Sequence, residues 1–75
     1  MNVDSLITMA NQIGAFFETM PDRQQALTDI AGHLKRFWEP RMRRALLQYV
    51  DEQDGAQLKG IVRQAVLTHR ASLLL

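Results

Sequence analysis

The stretch Lys35-Arg36-Phe37-Trp38-Glu39-Pro40-Arg41-Met42-Arg43-Arg44 decides how this chain is read. Pro40 lacks an amide donor and restricts the residue before it, so a helix arriving from the N-terminal side stops near Trp38. The same proline is favoured in the first turn of a new helix. The stretch therefore separates two helices. It also gathers five of the chain's nine cations against a single acid, leaving four cations and seven acids for all other positions.

Upstream, Leu27, Ile30, Ala31, Leu34 and Phe37 or Trp38 recur at helical spacing and predict a helix over 22–38. Pro21 divides it from a first helix over 4–19, whose stripe is Leu6, Ala10, Ile13, Phe17 and Met20, widened by Met9 and Phe16. Asp4 is placed to cap that helix, since its carboxylate can accept first-turn amides. Gly14 weakens the helix by about 1 kcal/mol relative to alanine, and either permits close approach of another helix or is merely tolerated.

Downstream, Met42, Ala45, Leu46, Tyr49 and Val50 predict a helix over 40–52. Asp54 and Gly55 break it, with Asp54 placed to cap a fourth helix over 55–70 that carries Leu58, Ile61, Val62, Ala65 and Val66. The tail over 71–75 is apolar and either continues against a neighbour or frays. No stretch alternates apolar and polar residues as a strand would. The expected fold class is all-α: a single helical domain over 1–75, a small bundle of four short helices with mostly antiparallel neighbours, because the connections are short.

At 75 residues, 47% of them hydrophobic, the chain buries only about 60% of the surface exposed when unfolded. With no cysteine it has neither disulfides nor thiolate zinc ligands. It therefore depends on tight helix packing or on a partner that covers apolar surface. Met1-Asn2-Val3-Asp4 shows no basic segment leading into an apolar run, and no run approaches the roughly 20 residues of a membrane span. A cytoplasmic location without membrane contact is expected.

The third helix is charged against its own dipole. Helix N-termini favour acids and C-termini favour bases, yet Arg41, Arg43 and Arg44 crowd its start while Asp51, Glu52 and Asp54 crowd its end. Glu39 is placed to offset part of this by pairing with Arg43 at i,i+4. Departures from local rules concentrate at functional sites. Arginine pairs bidentately with carboxylates and stacks on aromatic rings, and tryptophan and arginine are enriched at interface hot spots. Arg36, Phe37, Trp38, Arg41, Arg43 and Arg44 are accordingly the candidate partner-binding residues. The competing reading is a solvated basic turn with Trp38 tucked into the core.

Other candidates carry less. His33 follows Asp29 by four residues and is expected to pair with it, and His69 complements a helix C-terminus. No metal site is suggested, and Ser5, Thr8 and Asn11 have no base beside them at a recognisable spacing. Asn11-Gln12 marks either an interface or an exposed helix face. No catalytic residues and no phosphate loop are found.

Three stretches carry a family resemblance: Met9-Ala10-Asn11-Gln12-Ile13 with Phe16-Phe17, Ile30-Ala31-Gly32-His33-Leu34, and above all the 35–43 segment. Leu58, Ile61-Val62 and Ala65-Val66 extend it. The chain resembles the delta subunit of soluble, molybdenum- or tungsten-dependent, NAD-linked formate dehydrogenases; the Leu73–Leu75 tail is not part of the likeness. The resemblance implies a non-catalytic accessory subunit that binds the catalytic alpha subunit. It also implies that the subunit supports assembly, cofactor maturation or stability of a complex oxidising formate to carbon dioxide. The implied cofactors, a molybdenum or tungsten pterin, Fe–S clusters, FMN and NAD, belong to other subunits, with none bound by this chain. Within that reading the arginines either dock the subunit or hold cofactor phosphates during maturation. The alternative is a small helical nucleic-acid-binding module using the 35–44 corner. The formal charge of +1 counts against it, because non-specific affinity comes from neutralised phosphates. An isolated chain also has the option of pairing with a second copy as a homodimer.

Overall fold

Asn2 opens the first helix in the computed structural model of the chain, which describes residues 2–75. Its side-chain Oδ1 accepts the Asp4 amide at 2.8 Å, so Asn2, not Asp4, is the cap. Five helices follow: α1 (Val3–Phe17), α2 (Arg23–Phe37), α3 (Pro40–Gln53), α4 (Gly60–Thr68) and α5 (Arg70–Leu74). No strand occurs among the described residues. Asp22 caps α2 by accepting the Gln25 amide at 3.2 Å. Trp38 leaves α2 in an extended conformation, as the following Glu39-Pro40 pair demands.

Two expectations about the C-terminal half are corrected. Asp54 takes a left-handed conformation at φ 61° and ends α3 rather than starting the next helix. Gly55 continues at φ 63°, a region that glycine occupies at little cost. The chain then turns until Gly60, where α4 begins in place of residue 55. The predicted fourth helix is also split, because His69 interrupts it and α5 follows. Within the tail, Leu73 is buried, whereas Leu74 and Leu75 are exposed.

Helix pairing follows apolar faces rather than chain order. α2 packs chiefly on α4; α1 touches α2, α3 and α4; and α5 lies against α2, α3 and α4. The described residues thus form an all-α globule of five helices where four are expected from the sequence. Its centre is Leu27, Ile30, Leu34, Leu46, Val62 and Val66, all essentially shut off from solvent. Ile7, outside the expected α1 stripe, is also buried.

The turn between α3 and α4 is held by two side chains. Asn11 of α1 donates from Nδ2 to the Gln57 carbonyl at 3.0 Å and accepts the Lys59 amide at 2.8 Å. The Tyr49 hydroxyl accepts the Gln57 amide at 2.9 Å. The acids at the unfavourable end of α3 also find tertiary partners. Arg70 bonds both Asp51 oxygens, at 2.8 and 2.5 Å, a hydrogen bond that raises the guanidinium above its ordinary pKa. Arg63 bonds the Asp54 carbonyl and carboxylate at 2.8 and 2.6 Å.

Gly14 serves helix approach. A Cβ there would run into Val62 Cγ2 and come within 3.4 Å of Ile61 Cγ2, and Val62 is a stiff β-branched side chain in the centre of the core. Gly14→Ala is expected to lower stability by about 1–2 kcal/mol, overpacking outweighing the gain in helix propensity. Urea unfolding of Gly14→Ala, of Val62→Ala and of the pair checks this. The pair should lose less than the sum of its members, and a stabilised Gly14→Ala would refute the close packing.

Candidate functional site

Seen in three dimensions, the basic corner splits into an inner and an outer set. The inner set is Trp38 and Arg43. Trp38 continues the buried face of Ile30 and Leu34 and is only 5% exposed. Arg43, in the first turn of α3, is 6% exposed. Its Nη1 donates to the carbonyls of Trp38 at 2.8 Å and Lys35 at 3.1 Å, and its Nε to that of Leu73 at 3.2 Å. The first two belong to the C-terminal end of α2, whose last carbonyls have no intrahelical donor and whose dipole is negative. Arg43 thus caps α2 from α3 and ties in α5. The expected Glu39–Arg43 pair is not formed; Arg43 is engaged within the fold, whereas Trp38, though mostly buried, still contributes to the wall of the groove described below.

The outer set is Phe37 and three arginines. Phe37 is 69% exposed. Arg36, Arg41 and Arg44 are exposed and make no ion pair among the described residues, where the salt bridges are Lys59–Glu18, Arg63–Asp54 and Arg70–Asp51. Arg36 and Arg41 directly precede Phe37 and Met42, which both line an open groove.

That groove, of about 540 Å³, is walled by Met9, Gln12, Ile13, Phe16 and Phe17 of α1, His33 and Phe37 of α2, Trp38, and Met42 of α3. Aromatic rings run across it. Ring centroids of Phe16 and Phe17 lie 5.0 Å apart and those of Phe17 and His33 6.4 Å apart, both edge to face, while His33 and Phe37 are tilted with centroids 4.8 Å apart. His33 therefore belongs to the aromatic row and does not pair with Asp29, whose carboxylate instead accepts from Gln25 at 2.9 Å. Phe16 is 73% exposed, and Met9 lies partly open. The two residues that widen the α1 stripe thus form its exposed outer edge. Their signal in the sequence is the wide apolar arc of Met9, Ile13 and Phe16 beside the i,i+4 pair His33 and Phe37.

Contiguous exposed apolar surface marks interaction sites, and methionines at its edge can adapt to a partner's shape. As to metals, no group of three or more His, Cys, Asp or Glu side chains converges among the described residues. No helix is long and apolar enough to cross a membrane.

A family model described as NADH-dependent formate dehydrogenase delta subunit FdsD matches residues 5–66, a span that includes the groove and the basic corner and stops before α5. No curated protein and no solved structure matches.

The two sets of arginines should separate in a stability measurement. Arg43→Gln strands carbonyls in a buried setting and is expected to cost about 2–4 kcal/mol. Arg41→Gln and Arg44→Gln should each stay within about 0.5 kcal/mol of the parent. Urea unfolding followed by far-UV circular dichroism provides the comparison, and equal effects at the three positions would contradict it.

Proposed function

The chain belongs to the family of NADH-dependent formate dehydrogenase delta subunits, and from that premise we propose that it is a non-catalytic accessory subunit. In this reading it binds the catalytic alpha subunit and supports assembly, cofactor maturation or stability of the complex. The observation that carries the reading is the exposed aromatic groove, with Phe16 and Phe37 open to solvent on a chain small enough to need help in covering apolar surface. Burying side chains of this kind contributes roughly 1.5–3 kcal/mol each, so docking there strengthens both the complex and the subunit.

The lining supports a packed contact. It offers thioether and aromatic surface, one amide and one imidazole, the composition of a recognition surface rather than of acid–base or nucleophilic chemistry. In this reading the redox groups of the complex belong to the larger subunits; with no cysteine, this chain lacks the thiolates that ordinarily ligate an iron–sulfur cluster. A nucleic-acid role is weaker, because the groove lining is apolar and carries no cation and the chain's formal charge is +1.

Co-expression with the catalytic subunit tests the proposal. The parent chain is expected to co-elute with it in size-exclusion chromatography. Phe16→Ser/Phe37→Ser should lose at least tenfold in affinity while keeping its helical circular dichroism, because both side chains lie outside the core. Unimpaired assembly of this variant would place the docking surface elsewhere.

A further inference from the structure

We propose that the groove receives an acidic, amphipathic helix from a different polypeptide, its apolar face over Phe16 and Phe37 and its carboxylates on Arg36 and Arg41. The inference rests on the accessory-subunit reading and names the chemistry of what that subunit binds. Charge is the first argument. The three exposed arginines lack intramolecular partners among the described residues, and two of them directly precede groove residues. Within 35–44 Glu39 is the lone acid. A ligand carrying carboxylates at the groove's edge supplies the missing charge, and arginine meets carboxylate with two parallel hydrogen bonds.

Backbone chemistry selects a helix. The groove is walled by helices, and no strand exists among the described residues to offer free ladder positions. An extended peptide laid there would leave its own amides and carbonyls unmatched, whereas a helix satisfies them internally. A helix presents apolar anchors at i, i+3 or i+4 and i+7 to such a surface. Charge also argues against a second copy of this chain. A two-fold contact sets the same patch against itself, and that patch has no acid among its lining residues to meet the arginines.

A photo-crosslinking residue placed at Gln12, an exposed groove position, tests this in the assembled formate dehydrogenase complex. Mass spectrometry of the digest is expected to show a bond to a helical segment of another subunit that carries an apolar stripe and at least two carboxylates. Arg36→Glu/Arg41→Glu should weaken subunit binding roughly ten- to a hundredfold at low salt, and less at high salt. Circular dichroism should remain unchanged. Reversing the carboxylates of the crosslinked segment to lysine should restore binding to that variant. A crosslink to a second copy, or to a segment without acids, overturns the proposal. So does an intact complex with no crosslink at Gln12, although the accessory-subunit reading then survives on another face. Absence of the chain from any formate dehydrogenase complex overturns both.

Discussion

Everything around the junction of α2 and α3 depends on the guanidinium of Arg43. The two helices are separated by Trp38 and Glu39 alone, so the orphan carbonyls ending α2 lie beside the start of α3. Arg43 reaches back to two of them and forward to the carbonyl of Leu73. One side chain thereby fixes the angle between two long helices and anchors the short fifth. A buried cation costs several kcal/mol unless its donors are matched; here three carbonyls match it, two of them at the negative end of a helix dipole.

The groove follows from that arrangement. With Trp38 turned inward to extend the core and Arg43 engaged beneath it, Phe37 is left on the outer face beside His33. Phe16 and Met9 reach the same face from α1, which Gly14 allows to lie close against α4. A chain of this size cannot enclose every large apolar side chain within its five helices. Part of the surplus, Met9, Phe16 and Phe37, collects along the groove, while Leu67, Leu74 and Leu75 lie open elsewhere.

Charges that look misplaced along one helix are resolved between helices. Asp51 and Asp54 oppose the dipole of α3, yet Arg70 of α5 and Arg63 of α4 meet them. These pairs are exposed, so each adds little to stability; their effect is to orient the C-terminal segments against α3. Asn11 works similarly, since an amide in an otherwise apolar stretch is bonded to the backbone of the turn before α4.

The sequence by itself determined the helical class, the breaks at Pro21, Pro40 and Asp54-Gly55, most of the buried stripe, and the concentration of cations at 35–44. These follow from rules acting within a few residues: proline's missing donor, helical spacing and the count of charges. The family was also legible, because the 35–43 segment is distinctive in its order. Only the tertiary structure decided which corner residues face inward. Arg43 looks like Arg41 and Arg44 along the chain, and its acceptors on residues 35, 38 and 73 come together only after folding. Likewise Phe16 and Phe37 sit on stripes that could have been core. Their exposure was settled by which faces α3 and α4 came to cover, a long-range outcome that no window of neighbouring residues contains.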